Sequence, residues 1–222
     1  MAGTPLAPTF REIDKDDVPH VLARHISDAA GRALTRVPQA ERMGLANKLV
    51  AALSVEGDEV ASLEQLVSLV APGHDALPHP QTPLSEVALL TNADGEPALA
   101  SEISGELASA DGVDLLCAFV RFAGIRVLDK GLRARRERGV PLRVITTTYV
   151  GATERRALDV LVREYGAQVK VRYEEARTRL HAKAWMFRRD SGFDTGYVGS
   201  SNLSRSAMLD GLEWNVRISG VG

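Results

Sequence analysis

Residues 180–187 read LHAKAWMF and residues 199–202 read GSSN, with Glu213 following in GLEWN. The first stretch has the alternation and the apolar, aromatic content of a β-strand. Side chains two apart on a strand point the same way. A strand over 180–187 therefore aims His181 and Lys183 at one spot and puts Leu180, Ala182, Ala184 and Met186 on the other face. Two basic groups held together repel unless an anion lies between them. A phosphodiester is such an anion, and a short strand over 195–198 leads into the GSSN turn, which adds Ser200, Ser201 and Asn202.

The chain around these stretches alternates. Strands are expected over 113–120, 142–147, 169–173 and 213–218, and helices over 103–110, 125–138, 153–165 and 204–210. Gly139 and Pro141 close the second of these helices, and Thr153 and Gly166 bound the third. Continuous apolar strands alternating with helices predict an α/β fold whose sheet is covered on both faces. Residues 84–90 open this block, and 92–95 read as a turn. The preceding segment, APGHDALPHPQTP at 71–83, holds four prolines in thirteen residues and reads as a linker. Before it, residues 1–70 read as a small helical N-terminal region. Met43, Leu45, Ala46, Leu49, Val50 and Leu53 recur at helical spacing, and Ser62 caps a further helix over 62–70.

Charge divides along the same line. Residues 1–110 carry 7 Lys/Arg against 16 Asp/Glu, a net of −9, and residues 111–222 carry 20 against 13, a net of +7. The half with the motif is basic, as a polyphosphate-binding surface would be. Arg133, Arg135, Arg136 and Arg138 are expected to solvate one helix. Only 5 of the 27 basic residues are Lys, so Lys183 stands where a compact ammonium is wanted. Cys117 is the sole cysteine, which excludes an internal disulfide and suits the cytoplasm. It is expected in the core, and Trp185 and Trp214 fit core packing ahead of base stacking. The start MAGTPLAPTFREIDKDD is no secretory signal, and no apolar run reaches membrane-spanning length. His20, His25, His74 and His79 have no cysteine partners, so no metal or other cofactor is expected.

The pattern H-x-K, spacer, G-S-x-N resembles the signature of the phospholipase D superfamily, here His181, Lys183, Gly199, Ser200 and Asn202. One position departs from it, since Arg188 stands where the superfamily commonly has Asp. The nuclease branch lacks that Asp and uses a downstream Glu, here Glu213. From about residue 84 to 218 the chain resembles the phospholipase D-like module at the front of bacterial DEAD/DEAH helicase–nucleases, through ELASADGVDLLCAFVRFAGIRVL, LRVITTTYVGAT, TRLHAKAWMF and YVGSSNLSRSAMLDGLEWNVR. The resemblance implies a mixed sheet flanked by helices over 84–222. It implies metal-free phosphodiester cleavage through a phosphohistidine, with DNA as the expected substrate. His181 would be nucleophile or acid, Lys183 and Asn202 would hold non-bridging oxygens, Ser200 would add a hydrogen bond, and Glu213 would orient an imidazole. The superfamily mechanism takes two H-x-K sets and this chain has one, so a two-fold homodimer is expected to complete the site. No phosphate loop of the G-x-x-x-x-G-K-[ST] type occurs in these residues, so the expectation is either a split or truncated relative or a helicase acting in trans.

Further substrate contacts are expected from Ser201 and from the strand-end hydroxyls Thr147 and Thr148, with Thr146 and Tyr149 beside them. Strand-end composition alone accounts for those threonines equally well. Arg121 and Phe122 fit nucleic-acid contact or a plain loop, and Arg188 and Arg189 fit phosphate contact or a solvated turn. Two other functions stay open. A phospholipase or phosphatidyl transferase would want an apolar entry surface, and a non-catalytic docking module would tolerate decay of the motif.

Overall fold

The computed structural model describes residues 12, 14–53, 60–64, 77–93, 95–173 and 180–220. The chain divides into two compact units, Met1–Glu64 and Gln65–Gly222. In the first, helix α1 covers Val18–Arg36 and α2 covers Gln39–Ala52, and neither holds a buried residue. Asn47 ties α2 to the segment beyond it: its amide donates to the Val60 carbonyl at 3.1 Å, and its oxygen accepts from the Val60 N–H at 2.7 Å. The helix expected over 62–70 does not begin at Ser62; residues 62–64 are not helical, and Ser62 Oγ instead donates to Glu64 at 2.9 Å. Residues 65–70, the first part of the expected linker with His74, and Arg177, Thr178 and Arg179 lie outside the described residues.

The second unit is a seven-stranded mixed sheet with helices. Its elements run β1 (Ala88–Leu90), α3 (Leu99–Ser109), β2 (Gly112–Cys117), α4 (Phe122–Val127), α5 (Asp129–Glu137), β3 (Leu142–Thr147), α6 (Arg155–Arg163), β4 (Gln168–Arg172), β5 (Lys183–Arg188), β6 (Thr195–Gly199), α7 (Arg205–Leu209) and β7 (Asn215–Ser219). The order across the sheet is β1-β7-β6-β5-β2-β3-β4. β2, β3 and β4 are mutually parallel, and the remaining neighbours are antiparallel. The helix expected over 125–138 is two helices, α4 and α5, meeting at Leu128. Gly139, at φ +72°, takes the left-handed turn that ends α5. Thr153 does not cap α6; its hydroxyl lies 3.3 Å from the Ala118 carbonyl and accepts from the Val120 N–H.

Alternation along the strands sorts residues to two faces. Val113, Leu115, Leu142, Val144, Trp185, Phe187 and Tyr197 are buried in one core with Ile103, Leu107, Ile125, Leu132 and Leu161 of the helices. The opposite positions, Leu89, Ile145, Met186, Val198, Val216 and Ile218, are all exposed. The expectation of a sheet covered on both faces therefore fails for the described residues. The run of apolar residues in each strand reflects this uncovered face as well as the packed one. On it, Asp114 sits between Arg143 and Arg188 at 2.5 and 3.2 Å. Arg143 holds the Asp114 carboxyl below the usual carboxylate range.

Charge is also built into the core. Glu106 of α3, fully buried, accepts from Arg189, from the Tyr197 hydroxyl at 2.9 Å and from Arg217 at 3.5 Å. Arg217 further donates to the carbonyls of Pro83 and Glu86 at 2.8 and 2.6 Å. This cluster pins α3, the β5–β6 turn and β7 together. Arg189 is thus neither a phosphate contact nor a solvated turn residue. The arginines of α5 do not merely solvate a helix. Arg135 is buried and donates to the Val140 and Tyr165 carbonyls, and Arg138 donates to Ala108 and Ala110 at 2.7 and 2.9 Å. Arg135, Arg189 and Arg217 of this half are therefore spent inside the fold.

Candidate active site

The strand directions bring one set of chain segments to one end of the sheet. β2, β3, β4 and β6 finish there, and β5 and β7 start there. Ligand sites of α/β sheets lie where parallel strands end in this way. His181 and Lys183 precede or open β5, Ser200, Ser201 and Asn202 follow β6, and Glu213 precedes β7.

The strand expected over 180–187 begins at Lys183, so His181 lies in the segment leading into it, with its side chain exposed. Lys183 is the outermost inward-facing residue of β5, on the packed face with Trp185 and Phe187, and is 8 % exposed. Its ammonium donates to the His181 carbonyl at 2.8 Å and lies 2.9 and 3.1 Å from Nδ1 and Nε2 of that ring. Convergence of the two side chains thus arises from the strand's end, where Lys183 leaves the core. Burial pushes the Lys183 pKa below its ordinary value, and the Glu213 carboxylate pulls the other way.

Asn202 is held by its carbonyl end. Its Oδ1 accepts from the Phe119 N–H at 3.1 Å, which leaves the amide NH2 as the donor it can present. Beneath it lies Cys117, the Cα partner of Lys183 across β2 and β5. The thiol is buried, lies 3.0 Å from the Phe119 carbonyl, and accepts from the Leu203 N–H at 3.2 Å. Burial raises its pKa. The expectation of a packed core thiol holds, and the thiol packs directly under the site.

Ser200 Oγ donates to Glu213 and accepts from the Trp214 N–H at 3.0 Å, while the Ser200 N–H donates to the Trp214 carbonyl at 3.0 Å. Glu213, the residue expected to orient an imidazole, is bonded to Ser200, because the β6–β7 pairing delivers the two residues side by side. Ser201 is buried and accepts from Asn215 Nδ2 at 2.8 Å, so it braces the turn and is not open to substrate. Thr147 is likewise fully buried, with its hydroxyl accepting from the Tyr149 N–H at 3.0 Å; it shapes the loop after β3. Thr148 is exposed at that strand end. Thr146 is buried, 3.4 Å from the Ala118 carbonyl. Arg121 pairs with Glu154 at 3.2 Å, and the Phe122 N–H donates to the same carboxylate at 2.8 Å, which makes both part of a loop brace.

Two contributors were missed in the sequence. Phe119 packs edge-on to His181 with centroids 6.1 Å apart and stacks on Tyr149 at 6.1 Å. The sequence places it inside the apolar strand expected over 113–120, whereas β2 ends at Cys117 and Phe119 falls in the loop beyond. Asn92, at φ +59°, donates to the carbonyls of Ala207 and Gly211 at 3.0 Å each and accepts from the Leu99 N–H at 2.8 Å, so it fixes the α7 segment between the GSSN turn and Glu213. The tryptophans part company: Trp185 is core at 5 % exposure, whereas Trp214 is 70 % exposed, contrary to expectation.

Among the described residues, no group of three or more His, Cys, Asp or Glu side chains is arranged to hold a metal ion. No helix among them is long and apolar enough to cross a membrane. The set can hold an anion between Lys183 and the Asn202 amide beside an accessible imidazole.

Several solved structures resemble the chain. NucT from Helicobacter pylori is 16% identical with a TM-score of 0.45, over 60% of this chain and 84% of that one. Nuc from Salmonella typhimurium, a phospholipase D family member, is 20% identical with a TM-score of 0.44 over the same shares. A yeast tyrosyl-DNA phosphodiesterase is 12% identical with a TM-score of 0.40, over 60% of this chain and 31% of that one. No curated protein matches. The family described as cardiolipin synthase, PLD-like domain, matches residues 107–221. That span is more than half of the chain and holds every residue of the H-x-K and G-S-x-N motifs, and the chain belongs to the phospholipase D-like family.

Proposed function

We propose that the chain is a metal-independent phosphodiesterase of the nuclease type, with DNA as its substrate. The observation that carries this reading is the meeting of His181, Lys183 and Asn202 at one end of the sheet, with Ser200 and Glu213 beside them. The imidazole of His181 attacks phosphorus, and the P–O bond to the leaving sugar oxygen breaks as the P–N bond forms. Lys183 and the Asn202 amide hold the non-bridging oxygens as charge builds on them. The Lys183 ammonium, now against the His181 ring, transfers to the phosphate and frees the attacking lone pair. A second imidazole protonates the leaving oxygen; now neutral, it takes a proton from the water that attacks phosphorus, and the P–N bond to His181 breaks as the new P–O bond forms. One chain carries one H-x-K, so the second imidazole comes from a two-fold partner copy. The resemblance of the motif stretches to helicase–nuclease modules supports work alongside a helicase, in a restriction or defence setting.

The test is plasmid and oligonucleotide cleavage in EDTA by the wild type and by His181→Ala, with solution mass measured in parallel. Cleavage that survives EDTA and disappears in the variant is expected, from a dimer. Equal cleavage by His181→Ala would overturn the reading, and full activity from a strict monomer would overturn the shared site.

A further inference from the structure

We infer that Phe119 is a positioning residue for the cleavage: its ring sets the His181 imidazole and its backbone N–H sets the Asn202 amide. One residue thereby ties the H-x-K segment to the G-S-x-N turn. This rests on the nuclease reading and deepens it by naming what holds the attacking ring.

The two halves of the motif reach the site separately. His181 lies in the segment leading into β5, Asn202 in the turn after β6, and Phe119 in the loop between β2 and α4. Phe119 meets both. Its N–H donates to Asn202 Oδ1 at 3.1 Å. Its ring lies 6.1 Å from the His181 ring, centroid to centroid, at an interplanar angle of 78°, which is an edge-to-face pair. The backbone behind that ring is fixed. The Phe119 carbonyl accepts from the Leu203 N–H at 3.2 Å and from the Cys117 thiol at 3.0 Å. Beyond it the Val120 carbonyl accepts from the Glu154 N–H, and the Arg121 N–H donates to the Leu203 carbonyl, at 2.9 Å each. A second ring, that of Tyr149, stacks on Phe119 within 8° of parallel.

His181 needs such a support. Its side chain is exposed, so burial does not hold it. Among the described residues its ring takes polar contacts from the Lys183 ammonium and a ring contact from Phe119. Glu213 is bonded to Ser200. When Lys183 transfers to the phosphate, Phe119 is the ring contact that stays on the imidazole. A hydrocarbon ring suits that moment. It fixes the plane of the imidazole without occupying either nitrogen, so one remains open to attack phosphorus. An attacking lone pair must be aligned with the bond it forms, and a ring free to turn reaches that alignment less often. The contribution of Phe119 therefore belongs to the chemical step and not to the capture of the strand.

The test compares the full chain with Phe119→Leu and Phe119→Tyr. Leucine keeps the apolar bulk and the N–H that holds Asn202 but removes the ring; tyrosine keeps the ring. Phe119→Met replaces Phe119→Leu if the latter does not fold. Two readouts are taken: kcat and KM on a labelled oligonucleotide in EDTA, and the His181 Cε1–H resonance of the free protein, assigned by its absence from His181→Ala. Phe119→Leu is expected to lower kcat about 2- to 13-fold, the worth of one edge-to-face pair, with KM near wild type. Phe119→Tyr is expected to restore the rate. The His181 resonance should move in Phe119→Leu towards the position of an unstructured histidine and stay in place in Phe119→Tyr. Wild-type kcat in Phe119→Leu would overturn the inference, as would an unmoved resonance or a tyrosine variant as slow as the leucine one. A loss confined to KM would make Phe119 a substrate contact instead. The resonance needs no substrate, and the nuclease reading fails only if His181→Ala still cleaves, so the two failures are distinct.

Discussion

Gly199 is the residue on which the site's geometry is most exposed to a single methyl group. A Cβ built there lies 2.1 Å from the Trp214 carbonyl oxygen, 2.6 Å from Asn215 Oδ1 and 2.7 Å from Asn215 Cα, where ordinary contact begins near 3.4 Å. Two of those atoms are backbone, so no side-chain rotation relieves the clash. The start of β7 must retreat by about 1 Å. That displacement acts on the pair of hydrogen bonds joining Ser200 to Trp214, and through them on Glu213 and the GSSN turn. Gly199→Ala is expected to reduce cleavage about 100-fold, the usual effect of a 1 Å misplacement in a positioned site. The overpacking itself should cost about 1–3 kcal/mol, or a melting temperature lower by about 2–4 °C per kcal/mol for a chain of this size. Initial rates on a labelled single strand in EDTA, with thermal melts on the same samples, measure both. Gly196→Ala is the internal control. Its Cβ comes within 3.4 Å only of the flexible Ile218 side chain, at 3.1 and 3.3 Å, so both quantities should stay near wild type. A Gly199→Ala variant with wild-type rate and melting temperature would refute the close approach of β6 and β7.

Lys183 makes a prediction about pH. Its folded pKa lies below 10.5, so kcat/KM for an anionic substrate should fall with rising pH before the ordinary lysine range is reached. Over that window the unfolded chain binds the proton that the folded chain has lost, so this group's contribution to stability rises with pH while activity falls. In Lys183→Arg the residual activity should lose the alkaline limb, and a limb that persists unchanged would assign it to another group. Glu106→Ala leaves Arg189 and Arg217 buried without their carboxylate and should destabilise by about 3–5 kcal/mol in a denaturant titration. Arg143→Ala, on the exposed Arg143–Asp114 pair, should cost about 1 kcal/mol or less in the same titration.

The alternation of strand and helix was legible because periodicity and turn residues are local. β3 falls where the sequence puts it, and Gly139 and Gly166 end their helices at positive φ. The convergence of His181 and Lys183 was legible too, but its stated cause was not. The spacing suggested two neighbours on one strand, whereas the histidine precedes the strand and the lysine emerges from the core at its end. What stayed hidden depends on the other strands. Nothing local distinguishes Arg189, which is buried on Glu106, from Arg188, which is half-buried beside Asp114 on the open face. Thr147 and Ser201 look like surface donors in sequence, yet loop closure turns their hydroxyls inward. Trp185 and Trp214 flank the same motifs, and only the register separates core from rim.

The sheet order has a temporal consequence. β1 is made early and pairs with β7, which is made after every other strand, and His181, Lys183, Asn202 and Glu213 are split between the start of β5, the turn after β6 and the approach to β7. A nascent chain released as far as β5 carries the imidazole and the ammonium but neither the amide nor the carboxylate that complete their surroundings. Synthesis order therefore leaves the His181–Lys183 pair without Asn202 and Glu213 until the last strands are made.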